Sequence, residues 1–285
     1  MRNPVFLLMF GAVSLLAGCA THLPNGGQFP VNVGPNAISV RIQGYTKDGL
    51  ELPLGAYRVR GTSYVILSQV HGSVPGEGAL GALGLLGAHS ARQEKGKTAT
   101  EQLYSAFNFN LDLETKNTFK KEIGDGGKFQ LVDVPIQGSE RLDVTPYVWV
   151  GTYSNGQSRV HVILLAELKD QMGETKWWNQ YIYYSTQTRS LTGDSGWIAN
   201  DGASIKSATQ QGIGFATAIL LDDVRGSRKR VGERARYTAP IMSNPGPITL
   251  EGTLLSQDKN VALLEIGWSG LHIMPASEIS IATNK

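Results

Sequence analysis

The chain has 285 residues, with 26 Lys and Arg against 24 Asp and Glu, a formal net charge of +2. That balance supplies no net field favouring nucleic acid or an acidic membrane surface. Hydrophobic residues at 41% and charged residues at 18% exclude a disordered chain, and the length allows one large domain or two smaller ones.

The first element is a leader. Arg2 precedes the apolar run Val5-Phe6-Leu7-Leu8-Met9-Phe10, which continues through Val13 and Leu15 to the small residues Ala17-Gly18. A basic start, an apolar core and small residues before a cleavage point describe a secretory signal over residues 1–18, too short to span a bilayer comfortably. Cys19 follows at once and is the only cysteine of the chain, so no intramolecular disulfide can form. Leu16-Ala17-Gly18-Cys19 resembles the lipobox of bacterial lipoproteins. That resemblance implies that residues 1–18 are removed, that the Cys19 thiol receives a diacylglycerol and that the new amino terminus is acylated, palmitate being the typical chain. The next residue is Ala20 rather than aspartate, which in Gram-negative lipoproteins implies the outer membrane, periplasmic face. Loss of Arg2 with the leader leaves 25 basic against 24 acidic residues, a mature charge of +1.

Residues 19–37 are rich in Pro, Gly and Asn and read as a lipidated tether. Ile38 to Ile42 alternates apolar and polar as a half-buried strand does; Tyr57 to Arg60 and Ser63 to Leu67 read as two more strands. The segment 76–87 contains only Gly, Ala and Leu apart from Glu77, with glycines at Gly78, Gly81, Gly84 and Gly87. Small residues at a fixed period let backbones approach closely in lipid. The segment is expected either as a buried packing element or as a membrane or partner contact carried by Gly78, Gly81, Gly84, Leu85, Leu86 and Gly87. It is not a phosphate loop, because no Gly-Lys-Ser/Thr follows.

Thr98 to Ile123 reads as helical, most clearly in its second half, with Leu113, Lys116, Phe119, Lys120 and Ile123 at helical spacings. Gly124-Asp125-Gly126-Gly127 stops it, and Phe129 to Val134 starts a strand. Val144 to Tyr153, Ser158 to Leu168 and Lys176 to Ser185 form an antiparallel meander with turns at Asn155-Gly156 and Asp170 to Gly173. Its aromatics, among them Tyr147, Trp149, Tyr153, Trp177, Trp178, Tyr181, Tyr183 and Tyr184, serve as cross-strand packing or as a binding face. Asn200-Asp201 reads as the cap of a helix from Ala203 to about Val224, with Ile205, Ala208, Gly212, Phe215/Ala216 and Ile219 in one stripe. The run Arg225, Arg228, Lys229, Arg230, Arg234, Arg236 reads as a solvated linker or as a contact for anionic headgroups.

The expected architecture is α+β: an antiparallel sheet packed with helices over residues 38–225, then a basic and Pro-rich linker over 226–247. A small β-barrel-like or β-meander module over 248–285 completes it.

Chemistry is sparse. The five histidines, His22, His71, His89, His161 and His272, show no metal-ligand spacing, and no H-E-x-x-H or C-x-x-C occurs. No metal ligand, cofactor or catalytic residue is assigned. His161 sits in an alternating strand as an expected half-buried, satisfied histidine. Asp194-Ser195 lies between glycines without the nucleophile-elbow spacing, and Asp222-Asp223 point in different directions on a helix.

The order of helix, glycine stop, Phe129–Val134 strand, antiparallel hairpin and Ala203–Val224 helix resembles envelope lipoproteins of the curli-secretion-channel and penicillin-binding-protein-activator types. The likeness covers residues 38–225. It implies a non-enzymatic, outer-membrane-anchored lipoprotein that acts as a binding or scaffold component of a cell-envelope assembly. Its partners would be the membrane through lipidated Cys19, and an envelope protein or a second copy. One alternative is an oligomeric secretion-channel or transport accessory that inserts residues 76–87, although clear amphipathic transmembrane strands are lacking. The other alternative is a hydrolase of envelope polymers, which needs convergent polar groups near His161, Asp194 or Ser195.

Overall fold

The computed structural model describes residues 28–30, 38–44, 56–59, 64–67, 98, 100–104, 109–124, 128–134, 136, 139–153, 156–228, 231–240, 247–267 and 269–281. At its centre is the antiparallel meander β5 (Arg141–Thr152), β6 (Gln157–Lys169) and β7 (Thr175–Tyr184). Both turns use left-handed glycines, Gly156 at φ 77° and Gly173 at φ 89°, a conformation that a Cβ disfavours. In the second turn the Asp170 carboxylate accepts the backbone N–H groups of Met172 and Glu174, as an Asx turn does.

β1 (Ile38–Ile42) runs parallel to the first part of β5, and β4 (Phe129–Leu131) runs parallel to β1. β3 (Tyr64–Leu67) pairs in parallel with the second part of β5 and carries β2 (Ala56–Arg58) antiparallel. β8 (Arg189–Ser190) pairs with the start of β6. On the other side of the meander, β12 (Gly270–Pro275) pairs in parallel with β7. Beyond it follow β11 (Val261–Ile266), β10 (Pro247–Gln257), β9 (Glu233–Pro240) and β13 (Ile279–Ile281), each antiparallel to its neighbour. A 3-10 turn, Ala276–Glu278, precedes β13. All these strands belong to one mixed, open sheet.

Two helices cover one face. α1 (Leu111–Ile123) starts where the Asn110 side chain accepts the Leu113 N–H at 3.0 Å and ends at left-handed Gly124, φ 71°. Asp112 and Glu114 in its first turn and Lys120 and Lys121 in its last complement the helix dipole. The helix is shorter than the 98–123 pattern: residues 100–104 are helical, but 109 and 110 are not. Its buried stripe is Leu111, Thr115 and Phe119, whereas Leu113 is 52% exposed.

α2 (Ala199–Val224) enters through left-handed Asn200, Asp201 and Gly202 rather than through a side-chain cap, and is regular from Ala203. It buries Ile205, Ala208, Gly212, Ile213, Ala216, Leu220 and Val224 against β6 and β7. Gly212 permits the closest approach: a Cβ there would lie 2.5 Å from Val162 and 2.6 Å from the Tyr183 ring. Tyr183 also stacks on Phe215 with centroids 5.6 Å apart.

The expected α+β class and the C-terminal meander are present, with three corrections to the organisation. The sheet is mixed rather than antiparallel, because β1, β3, β4 and β12 join by parallel pairing. The 226–247 segment is not a linker throughout, because Glu233–Pro240 is strand β9, paired along its length with β10. Arg234 and Arg236 are exposed while Ala235 and Tyr237 are buried, a period of two that the density of arginines obscures. The 248–285 module is neither barrel-like nor separate: the sheet is open, and Leu271, His272 and Ile273 of β12 pair with Tyr181, Ile182 and Tyr183 of β7.

Candidate functional site

The meander alternates its side chains between two faces. Trp177, Tyr181 and Tyr183 enter the helix-side core, while Trp149, Ile163 and Ile182 form a second cluster on the opposite face, with Tyr147 and Tyr184 packed against it. Most of these aromatics are therefore packing on one face or the other, and half-buried Trp178 belongs to neither cluster.

Where the C-terminal strands meet that second face, polar groups converge. Arg159 of β6 is 3% exposed and donates from Nη2 and Nη1 to the two carboxylate oxygens of Glu278 at 2.5 and 2.7 Å. Nη1 also donates to the Tyr237 hydroxyl at 3.2 Å, and the guanidinium lies 6.0 Å from the centre of the Tyr153 ring. Such a forked ion pair is geometrically specific. Burial pushes the Tyr153 phenol up to about 12, against the opposing pull of Arg159, and raises Tyr184 and Tyr237 further. All three stay protonated hydrogen-bond donors.

Beside this pair lie two histidines. The His272 ring nitrogens contact the Tyr184 hydroxyl at 2.9 Å and the Ser269 hydroxyl at 2.7 Å. His161 packs on Tyr184 with ring centroids 4.7 Å apart. Burial lowers both histidines to about 3; Arg159 and His272 add to the effect at His161. Both rings are thus neutral at physiological pH. The Ser269–His272 contact has the reach of a nucleophile and its base, but a base lowered to about 3 is poorly matched to proton abstraction near neutrality. His161 is buried rather than half-buried, and among the described residues its Nε2 has no hydrogen-bond partner, nor has Nε1 of its cross-strand neighbour Trp149.

Other charges are engaged as well. Buried Asp143 binds Arg41 through two hydrogen bonds of 2.9 Å and pairs with Arg141 at 2.8 Å. Asp223, at the end of α2, accepts from the Tyr181 hydroxyl at 2.6 Å. In the basic run, Arg225 donates to the Glu122 carbonyl, Arg228 binds Asp222, and Arg234 and Arg236 share Glu251. Asp194 and Ser195 are exposed in a turn at left-handed Gly193, and no hydrogen bond joins either to buried His161. Asp222 is exposed and Asp223 buried, so they make no acid–base pair.

Cys19 and the segment Gly78, Gly81, Gly84, Leu85, Leu86 and Gly87 lie outside the described residues. Among the described residues no helix is long and apolar enough to cross a membrane, and no three His, Cys, Asp or Glu converge as a metal site. Arg159, Tyr237, Glu278 and Ser269 carry no sequence motif; His161, His272 and the meander tyrosines Tyr153 and Tyr184 are the members of this cluster that the sequence marks. Compared with models of known protein families the chain matches none, and no curated protein sequence matches it.

Proposed function

We propose that the chain is an outer-membrane lipoprotein, held by acyl chains on Cys19 and facing the periplasm. In this reading it serves as a non-enzymatic binding or scaffold component of an envelope assembly. The observation that carries this reading is Leu16-Ala17-Gly18-Cys19 at the end of a secretory leader, with Cys19 the only cysteine. Burying acyl chains stabilises membrane attachment by about 0.8 kcal/mol per CH₂. The body supports a scaffold role. One continuous sheet joins the helical layer to the C-terminal strands. Two of its buried charges are taken up by opposite charges, Arg159 by Glu278 and Asp143 by Arg41 and Arg141, an arrangement suited to holding shape.

Crosslinking the C-terminally tagged protein in native membranes tests the role. A stoichiometric complex with another envelope protein supports the scaffold reading. A ring-sized self-oligomer that disappears on deletion of residues 76–87 points instead to the channel accessory. A monomer without partners contradicts both.

A further inference from the structure

Among the described residues, the N-terminal chain first packs on the fold at Phe29. That side chain is 3% exposed and packs edge-on against Trp177, with ring centroids 5.0 Å apart and planes at 80°. Trp177 is near the start of β7, opposite Leu168, so the contact lies beside the β6–β7 turn at residues 170–174. The chain then enters the sheet at Ile38. There β1 places Ser39 opposite Arg141, and Arg141 in turn faces Lys169 at the end of β6. Both entry points therefore lie at one end of the sheet. The opposite end carries left-handed Gly156, β8 and the exposed turn around Asp194.

Covalent reach turns this into an orientation. Ten residue steps separate Cys19 from Phe29 (29 minus 19). Ten residues reach at most about 35 Å fully extended, and as an unrestrained coil they span on the order of 17 Å. The far end of β6, at Ser158, is ten residues from Leu168 (168 minus 158), about 33 Å along a strand. A lipid on Cys19 thus reaches a bilayer easily beneath the β6–β7 end. To reach one at the far end, the same segment must stretch nearly taut along the sheet.

The surface at the near end suits a neutral bilayer. Met172 is 85% exposed at the turn. Around it stand Lys169, Asp170, Glu174 and Lys176, two of each sign, with Asp170 and Lys176 paired at 3.0 Å. Balanced charge gives no electrostatic preference for anionic lipid, and an apolar side chain held in water gains by leaving it.

We propose that the body stands on the bilayer through its β6–β7 end, with Phe29 against Trp177 as the fixed root of the lipid tether and Met172 at the water–lipid boundary. This orientation rests on the acylation of Cys19 proposed above. Acylation consumes the only thiol, so Met172→Cys and Asp194→Cys each create a single labelling position on an exposed turn. The full-length lipoprotein, labelled with a polarity-sensitive fluorophore, is placed in zwitterionic vesicles whose acyl chains carry bromine as a quencher. The mass of its N-terminal peptide reads acylation separately. The expected result is an acylated Cys19, loss of fluorescence from the label at 172 and none from the label at 194. An acylated protein in which both labels, neither label or only the 194 label is quenched overturns the orientation and leaves the anchor standing. An unmodified Cys19 overturns both.

Discussion

Arg159 of β6 and Glu278 of the 3-10 turn lie 119 residues apart and meet through two hydrogen bonds of 2.5 and 2.7 Å. The arginine side chain is 4% exposed and the glutamate 28%, so the pair is a partly buried clamp between the central strand and the 3-10 turn that precedes β13. Removing one partner of a buried pair strands the other, which costs more than the pair itself contributes. Glu278→Ala is expected to destabilise the protein by about 2–3 kcal/mol, the usual buried-pair penalty reduced for the half-buried carboxylate. In urea unfolding, Arg159→Met combined with Glu278→Ala is expected to lose less than the two single changes added together. Additive losses would show that the two groups act independently.

The two buried histidines give the fold an acid limit. In the unfolded chain a histidine titrates near 6.5, while His161 and His272 are lowered to about 3 in the folded protein. The unfolded state therefore binds more protons between those values. Stability is fully present above about pH 6.5 and falls as the pH drops toward 3, by up to about 1.4 kcal/mol per pH unit for each histidine. Carboxylates join only below about pH 5, so the interval from 6.5 to 5 isolates the histidines. Urea midpoints measured across that interval are expected to fall, and to fall less steeply in His161→Phe. A flat profile would mean that the rings take up protons without unfolding.

Two glycines of α2 make a paired test of helix packing. A Cβ at Gly212 would sit 2.5 Å from the Val162 side chain, whereas one at Gly214 would meet nothing within 4 Å among the described residues. Gly212→Ala is expected to cost about 1–3 kcal/mol by overpacking. Gly214→Ala is expected to stabilise by about 0.5–1 kcal/mol through helix propensity alone. Thermal melting of both variants checks the signs, and equal effects would contradict the close contact of α2 with β6.

The elements that the sequence announces are those written in local chemistry. Gly124 ends α1, Gly156 and Gly173 close the hairpins, and Ala203 to Val224 is helical because each depends on a few neighbouring residues. What escapes is non-local. Nothing near His272 indicates that β12 will pair in parallel with β7. Nothing near Glu278 points to Arg159. The arginines of β9 masked a strand because their charge suggested solvent, when alternate residues face Glu251 and the core. Helical spacing alone does not say which face is covered; Leu111, Thr115 and Phe119 are the buried residues, while Leu113 is exposed. The candidate site was legible only as isolated histidines and meander tyrosines, because Arg159, Tyr237 and Glu278 meet across strands far apart in the chain.

The most direct measurement of the central claim is membrane fractionation of Cys19→Ser beside the natural chain. With acylation at Cys19, the natural protein is expected to band with outer-membrane density and Cys19→Ser to appear in the soluble fraction. Outer-membrane banding of Cys19→Ser equal to that of the natural chain would contradict the lipid anchor.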